Sequence, residues 1–433
     1  MKILRIQSSL FRSITGLVLF LFLSVSFSNC ASASVTQTVT KTPTLRPTFT
    51  AAATAPAAQL TVDQSIRAYI NSMSLNAKIG QLLVLQFITE GYVGDSVTMM
   101  QNYQPGGLIL YHFEIPNKDT ITSMTSDAQH DAHIPMLIMA DQEGGFVDQL
   151  YPIFGHTTTA TLIGLTHNPQ YAYQQGVMEA EHLKELGFNT NLAPDVDVET
   201  VHGPDQATRT FGYNAPDVVT MAGAFLDGLQ QNGVIGTLKH FPGLGASNVD
   251  AHLGLPVINE TKSQIESIDL QPYRDMLNSY DPPGMIMTTD LLMPAIDPNL
   301  PAEISPTIIT GLLRDQLHYN GVIITDALYM RGVLEKTQDM YQAGVLALKA
   351  GCDMLLGPST SYTAMMMVNA IKDAIHSGVL TMANINESVY RVLTLKAQKL
   401  GWRPPKTSQP ASTPSPAAPY FSFGPIDVWQ TAI

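Results

Sequence analysis

The amino-acid sequence predicts a (β/α)8 barrel of the TIM type, built as a single domain by residues 61–402. Short apolar runs bounded by turn residues alternate there with longer segments of helical spacing, as successive strand–helix units require. Eight such runs occur within roughly 340 residues, which matches a barrel of this kind with insertions. A doubly wound open sheet would use fewer strands, and no glycine-rich dinucleotide fingerprint follows the first run.

The predicted strands begin with the run QLLVLQF and end with DMLLG. A helix over 71–80 leads into the first strand, and a helix over 388–400 closes the domain. In chain order, the eight predicted strands cover residues 81–87, 107–111, 136–140, 190–193, 234–240, 284–289, 321–325 and 353–357.

Composition and charge exclude two classes of protein. Of the 433 residues, 45% are hydrophobic and 14% are charged, which is too apolar for a disordered chain and sufficient for a large core. The 23 basic and 36 acidic residues give a formal net charge of -13. This charge would repel a phosphate backbone, so we predict no nucleic-acid partner.

The start of the chain has the pattern of an export signal. Residues 2–12 carry three positive charges, and an apolar run follows at 14–27. At about 14 residues this run is short for a membrane span, which needs roughly 20, so we interpret residues 1–30 as a signal peptide. Cys30 follows the run as in a bacterial lipoprotein cleavage site, and its lipidation would tether the protein to a membrane. A plain secreted protein and an uncleaved anchor are the alternatives.

Two stretches of biased composition flank the predicted barrel. Thr, Ala, Pro and Ser make up 21 of the 30 residues at 31–60, which we interpret as a linker. Residues 403–433 form a tail whose first part is rich in proline. Because neither stretch has an apolar period or a candidate catalytic group, we expect residues 61–402 to suffice for activity.

Polar side chains collect at the C-terminal ends of five predicted strands. In a TIM barrel these ends surround one pocket, where the chemistry is carried out. One such residue could simply cap the following helix, but five in register favour a shared polar pocket. The residues are Asp141 after the third run, Asp195 and Asp197 after the fourth, Lys239 and His240 at the fifth, Asp290 after the sixth and Asp326 after the seventh.

The segment 239–256, KHFPGLGASNVDAHLGLP, has neither a helical nor a strand period and is interpreted as an ordered functional loop. Asp250 and His252 are two residues apart, so the carboxylate can orient the imidazole and raise its basicity. A metal site of His240, Asp250 and His252 is the alternative. The segment lacks a compact helical pair of metal ligands such as HExxH, and we predict no metal and no cofactor.

Five motifs resemble glycoside hydrolase family 3, and specifically its bacterial β-N-acetylhexosaminidase branch. They occur in the family's order across almost all of 61–402. The pattern KHFPG with a D-x-H whose His comes thirteen residues after the Lys, together with TDALxM, is very specific. The motifs are LIMADQEGGFVDQL (137–150), NLAPDVDV (191–198), RTFG (209–212), KHFPGLGASNVDAH (239–252) and GVIITDALYM (321–330).

The resemblance implies a role for each matching position. Asp326 matches the family's nucleophile, His252 its general acid/base, and Asp250 the carboxylate paired with that histidine. The positions that match residues holding the sugar in the first subsite are Asp141, Arg209, Lys239 and His240, and Gln149 stands where the family has a basic residue that also contacts the sugar.

Four positions depart from the family pattern. Phe146 replaces the arginine of GGRV, and Gln149 replaces the basic residue three positions further on. Leu244 replaces the histidine common in KHFPGHG, and Asp290 stands where the family often has histidine, which we expect to alter the charge of the pocket rim. None of these changes touches the nucleophile or the dyad. Activity is therefore expected, with altered sugar specificity.

The resemblance implies a retaining β-glycoside hydrolase that releases terminal N-acetyl-β-glucosamine from wall or chitin-derived oligosaccharides. The partner is then a small oligosaccharide, and the sequence leaves the oligomeric state open. A β-glucosidase, a β-xylosidase or a glycoside phosphorylase on the same scaffold is an alternative, and so is a non-catalytic surface sugar-binding protein. A binding protein has no need for Asp326, Asp250 and His252 together, and their presence favours an enzyme.

Overall fold

The computed structural model describes residues 60–89, 91–203, 206 and 208–405. The predicted signal peptide with Cys30, the linker before Leu60 and the tail after Pro405 lie outside the described residues. Among the residues described, no helix has the length and apolar character needed to cross a membrane.

Eight parallel strands close into a barrel, which confirms the predicted fold. Neighbours around the barrel are β1, β2, β3, β6, β7, β8, β9 and β10, and β10 pairs with β1. Strands β4 and β5 form a separate antiparallel hairpin. The strands are β1 Leu83–Gln86, β2 Gly107–Ile109, β3 Leu137–Ala140, β4 Gln142–Gly144, β5 Val147–Asp148, β6 Thr190–Asn191, β7 Ile235–Phe241, β8 Met285–Thr288, β9 Val322–Ala327 and β10 Met354–Leu356.

Helices follow the barrel strands and surround them. Short 3-10 helices lie at His112–Glu114 and Ala302–Ile304, and a π-helix lies at Thr307–Gln316. The α-helices are α1 Val62–Ser72, α2 Leu75–Gln81, α3 Asp95–Tyr103, α4 Lys118–Asp131, α5 Tyr151–Phe154, α6 Ala160–Leu165, α7 Pro169–Glu185, α8 Ala215–Gln231, α9 Lys262–Ser267, α10 Leu270–Leu277, α11 Arg331–Leu334, α12 Met340–Ala350, α13 Ser361–His376 and α14 Met382–Lys399.

Each of the eight predicted strands overlaps one barrel strand. The largest consequence of the boundary differences is at β9, which extends to Ala327, so that Asp326 lies within the strand and not after it. Strand β7 ends one residue later than predicted, at Phe241, and includes Lys239 and His240 as expected. The pairing register shifts next to these residues, between Leu238 and Phe241 of β7 and between Ile324 and Ala327 of β9, and such irregularities re-aim the side chains at the end of a strand.

Local sequence determines where the helices begin and end. The side chain of Asn168 accepts hydrogen bonds from the first turn of α7, and Pro169 occupies the first helical position, where no backbone donor is needed. Asn214 caps α8 in the same way. Gly351 ends α12 with φ of 116°, a conformation that an L side chain rarely adopts. These signals orient the helices against the barrel.

Two apolar layers hold the barrel together. Inside it, side chains such as Val84, Ile109, Met285 and Ile324 pack against one another and fill the interior. Outside it, strand residues that point the other way, such as Leu85 and Leu108, join the larger core beneath the helices. Because the interior is filled, a ligand site can form only at an end of the barrel.

Candidate active site

A cavity of about 280 Å³ opens at the C-terminal ends of the strands. The barrel thus brings together the residues that the sequence singled out, and Asp250 lies beside the cavity in contact with His252. The predicted site residues that line the cavity are Asp141, Gln149, Arg209, Lys239, His240, His252 and Asp326.

The ammonium group of Lys239 lies on the floor of the cavity between two carboxylates. Its Nζ is 2.5 Å from Oδ1 of Asp141 and 2.7 Å from Oε1 of Glu143. Burial lowers the pKa of Lys239, but the two carboxylates outweigh burial and raise it above the ordinary value for lysine. Lys239 is therefore permanently charged and is available to donate to a ligand hydroxyl at the cavity floor.

Arg209 is held by Glu143 through two parallel hydrogen bonds. Nε of Arg209 lies 2.8 Å from Oε2 of Glu143, and Nη2 lies 2.9 Å from Oε1. This two-point geometry fixes the guanidinium plane. Burial opposes ionisation of Glu143, yet Arg209 and Lys239 hold the pKa of this carboxyl well below its usual range. Glu143 is thus an anionic bridge that positions both cations.

The ring of His240 is fixed at both nitrogens. Its Nδ1 lies 2.8 Å from Oδ2 of Asp197, and its Nε2 lies 3.1 Å from Nη2 of Arg209. Because a guanidinium can only donate, Nε2 must accept, and the ring proton therefore resides on Nδ1. Asp197 also accepts a hydrogen bond of 2.7 Å from the backbone N–H of Leu244. It anchors both the histidine and the loop that follows β7.

This arrangement argues against the metal alternative of His240, Asp250 and His252. Both ring nitrogens of His240 are engaged, and neither partner is one of the other two residues. A different trio, Asp195, Asp197 and His240, places one potential ligand atom each within 4.8 Å of the others. The guanidinium of Arg209 lies 3.9 Å from Asp195, so a fixed cation already stands at that cluster.

Asp326 faces the same cavity from β9. Its Oδ2 accepts a hydrogen bond of 2.9 Å from the hydroxyl of Thr289, and its Oδ1 accepts one of 2.8 Å from the backbone N–H of Ala327. Each carboxylate oxygen therefore has one donor, and the two hydrogen bonds fix the plane of the group. The side chain is only partly buried, so a ligand in the cavity can reach it.

Two further carboxyl groups lie behind Asp326, and they correct one expectation. Asp290 is fully buried, and its Oδ2 accepts a hydrogen bond of 3.0 Å from the backbone N–H of Val333. It therefore does not lie at the pocket rim.

The pKa values of both buried carboxyl groups are raised. Burial, then the charge of Asp326, raises the pKa of Asp290 well above its usual range. Burial, Asp290 and Asp326 do the same for Glu303. We expect Asp290 and Glu303 to be protonated at neutral pH.

Glu303→Gln tests this charge assignment. A carboxyl whose pKa is raised in the folded state keeps a proton that the unfolded chain releases, so stability falls as pH rises above the ordinary range near 4. Without this carboxyl group, the free energy of unfolding should fall less steeply between about pH 5 and pH 8. The difference in slope between variant and wild type can reach about 1.4 kcal/mol per pH unit. Urea unfolding at the two pH values measures the difference. Asp373→Asn, which removes an exposed carboxyl on α13, should behave as the wild type. If the free energy of unfolding of Glu303→Gln falls with pH as steeply as that of the wild type, the assignment is wrong.

Asp250 and His252 form a pair in the loop after β7. Oδ1 of Asp250 lies 2.8 Å from Nδ1 of His252 and also accepts a 2.8 Å hydrogen bond from the backbone N–H of His252. Nδ1 therefore carries a proton, and Nε2 is left for a ligand. The loop is held close to the barrel at Gly245, where a Cβ atom would lie 1.9 Å from the carbonyl oxygen of Val198. Only glycine permits this approach.

The departures from the family pattern lie at separate points of the site. Leu244 is buried in the cavity wall, and Phe146 is 89% exposed at the tip of the β4–β5 hairpin. The amide oxygen of Gln149 lies 3.0 Å from the backbone nitrogen of His112 and 3.2 Å from its ring Nδ1. Gln149 thus lines the cavity while tying the hairpin to the segment after β2.

Several residues of the site had no assigned role in the sequence. Glu143 stands only two positions after Asp141, and the motif DQEGG could have drawn attention to it. Asp197 follows a predicted strand and Thr289 ends one, but their hydrogen-bond partners were not predictable. Tyr111 lines the cavity from the end of β2, where no charged residue marked the strand end.

Comparison with known proteins identifies the family. The family described as "Glycosyl hydrolase family 3 N terminal domain" matches residues 74–395. The chain is 32% identical to Beta-hexosaminidase A of Pseudoalteromonas piscicida over 328 residues, which cover 69% of this chain and 54% of that protein. It is 27% identical to Beta-hexosaminidase LpqI of Mycobacterium tuberculosis over 343 residues, covering 76% of this chain and 84% of that protein.

The fold has the same relatives. The chain superposes on a glycoside hydrolase family 3 beta-N-acetylglucosaminidase from Paenibacillus sp. str. FPU-7 with a TM-score of 0.71 and 28% identity, covering 81% of this chain and 65% of that one. It therefore spans about half of the Pseudoalteromonas protein and somewhat under two thirds of the Paenibacillus protein. Since the family domain occupies well over half of the sequence, the chain belongs to glycosyl hydrolase family 3.

Proposed function

We propose that the protein is a retaining β-N-acetylglucosaminidase that removes terminal N-acetylglucosamine from oligosaccharides of chitin or cell wall. The observation that carries this proposal is that a carboxylate, Asp326, and a histidine–carboxylate pair, His252 and Asp250, meet at one cavity whose floor holds fixed cations. Relatives named beta-hexosaminidase support the choice of sugar.

Asp326 acts as the nucleophile in the first step. Its carboxylate attacks the anomeric carbon and forms a glycosyl ester, while the bond to the departing oxygen breaks. The hydrogen bonds from Thr289 and from the backbone of Ala327 hold the group in place. The neutral state that we expect for Asp290 and Glu303 avoids placing three like charges in one buried region.

His252 supplies and then removes a proton. In the first step Nε2 protonates the departing oxygen, and in the second step it takes a proton from the water that attacks the ester. Asp250 keeps the ring oriented through Nδ1 and stabilises the positive charge of the protonated ring. Because histidine titrates near neutral pH, it can carry out both tasks without the strong perturbation that a carboxylic acid would need.

The cavity floor binds the sugar. Lys239 and Arg209, which Glu143 holds in place, donate to its hydroxyl groups, and Asp141, which is paired with Lys239, accepts from them. His240 adds a ring that Asp197 and Arg209 hold rigidly. Such fixed partners lower the entropy cost of holding the sugar in the reactive orientation.

The protein is further proposed to be exported, either as a lipoprotein through Cys30 or as a secreted protein. The charged and apolar start of the chain supports export. A relative that is 38% identical over 271 residues is named "Uncharacterized secreted glycosyl hydrolase".

Hydrolysis of an aryl N-acetyl-β-glucosaminide, measured beside the aryl β-glucoside and β-xyloside, tests the proposal. We expect the N-acetylated substrate to be cleaved with a kcat/KM at least roughly tenfold above the other two, a difference of about 1.4 kcal/mol in transition-state binding. Proton NMR should show the β-anomer of the sugar as the first product. A preference for the glucoside or the xyloside would show that the enzyme acts on that sugar and not on N-acetylglucosamine. Phosphate-dependent release of a sugar phosphate would make the enzyme a phosphorylase. Binding without turnover of any of them would leave a sugar-binding protein.

A further inference from the structure

A row of partly exposed rings lies beside the active-site cavity. We refer to His112, Phe113, Tyr151 and His156 as the aromatic platform. Phe113 is 49% exposed and Tyr151 is 38% exposed. Neighbouring rings in the row are in contact: the centroid of His112 lies 5.7 Å from Phe113 and 5.6 Å from Tyr151, and Tyr151 stacks on His156 at 4.7 Å.

The aromatic platform is continuous with the cavity at two points. Phe113 stacks on Tyr111, a cavity-lining residue, with a centroid distance of 5.9 Å and an angle of 13° between the rings. His112 is bound by Gln149, which also lines the cavity. The surface of the rings therefore begins where the wall of the active site ends.

A buried carboxyl group anchors the backbone that carries the first two rings. The backbone N–H of Tyr111 donates a 2.7 Å hydrogen bond to the fully buried Glu114, which anchors the short helix that carries His112 and Phe113. Nδ1 of His156 lies 3.7 Å from a carboxylate oxygen of the buried Asp148. A surface that is ordered before binding loses little conformational entropy when a ligand binds.

We infer that the aromatic platform binds the part of a neutral N-acetylglucosamine oligosaccharide that extends out of the active-site cavity. The inference rests on the proposed function and specifies its substrate as a chitin-type chain. A sugar ring has an apolar face of C–H groups that packs on an aromatic ring, and a polar rim that bonds to groups such as imidazole and amide.

The size of the cavity and the charge of the platform favour this ligand. A volume of about 280 Å³ is at the lower end for small-molecule sites, so one sugar unit fills it and further units must lie on the adjoining surface. The carboxylate of Asp148 lies 3.7 Å from Nδ1 of His156, and the formal net charge of the protein is -13; both disfavour the carboxylates of muramic acid units in cell-wall glycans. A neutral chain is thus preferred to a wall-derived one.

The test compares a short and a long substrate in Phe113→Ala, Tyr151→Ala and the double variant. Tyr280→Ala, which removes a fully exposed ring after α10, is the matched control. For the aryl N-acetyl-β-glucosaminide, kcat/KM should stay within about twofold of the wild type in every variant. For chitotetraose, kcat/KM should fall roughly tenfold in each single platform variant and further in the double variant, as expected for loss of a stacking ring.

Three outcomes would overturn the inference. Equal losses for the short and the long substrate would make the rings structural supports of the cavity. Unchanged turnover of chitotetraose in the platform variants would show that the rings do not bind the substrate. A wall-derived tetrasaccharide that is cleaved as fast as chitotetraose, with the same loss in the platform variants, would overturn the preference for a neutral chain.

A failure of the proposed catalytic function can be told apart from a failure of the aromatic platform. If the wild type cleaves none of the N-acetylglucosaminides, calorimetric titration with chitotetraose still tests the platform. Binding by the wild type and by Tyr280→Ala that is lost in the double variant would support a sugar-binding platform without catalysis. No binding by the wild type would overturn the platform as well.

Discussion

Replacing Asp326 with Asn should lower kcat by at least roughly a thousandfold on every substrate. The amide has nearly the shape of the carboxylate but no charge with which to attack the anomeric carbon, so the covalent step is lost. The backbone N–H of Ala327 can still donate to the amide oxygen, and the amide N–H group can donate to the hydroxyl oxygen of Thr289. Binding of N-acetylglucosamine, measured by calorimetry, should therefore stay within severalfold of the wild type. A variant with near-normal kcat would refute the role of Asp326.

Trapping the glycosyl-enzyme ester and locating it by mass spectrometry tests the same assignment of Asp326. A fluorinated N-acetylglucosaminide slows the second step, so an ester should accumulate on the peptide that contains Asp326 and on no other peptide. Asp290 is a useful contrast because it follows the neighbouring strand and lies close to Asp326, but it is buried and expected to be protonated. Label on Asp290 would show that the nucleophile had been assigned to the wrong strand.

The barrel could be predicted because its strands are buried on both faces. Strands of this kind appear as continuous apolar runs, and parallel strands present their C-terminal ends to one region of space. Once eight runs were counted, Asp141, Lys239 and Asp326 had to lie near one another, and the structure places them at a common cavity. The strand ends themselves were less certain, as at β9, since pairing and not composition decides where a strand stops.

Other features depend on contacts that sequence order does not encode. The burial of Asp290 follows from its position beneath α11, where Val333 binds it. Glu143 lies in a hairpin whose conformation determines that its side chain meets Arg209, a residue 66 positions away. The aromatic platform combines the 3-10 helix after β2 with α5 and the following His156, and no pattern in the sequence links these rings.

His252→Ala should affect substrates according to their leaving groups. An alkoxide from a natural oligosaccharide needs protonation to depart, whereas an activated aryl group needs little. We therefore expect kcat/KM to fall by about a thousandfold for chitobiose and by no more than about tenfold for a dinitrophenyl glycoside. His376→Ala, an exposed histidine near the end of α13, should leave both values unchanged. A plot of rate against leaving-group pKa should become steep only in the His252 variant.

The second chemical step of the same variant gives a stricter test. Without the imidazole to take a proton from water, hydrolysis of the ester should become rate-limiting, and azide, which needs no deprotonation, should enter the vacated space and restore turnover. The product should be the β-glycosyl azide, because two inversions retain the configuration. Asp250→Asn should give a milder form of both effects, since His252 would keep its place in the loop but lose the carboxylate that holds Nδ1. A uniform loss across all leaving groups, with no azide product, would make His252 a binding residue, and the proton donor would have to be another group lining the cavity.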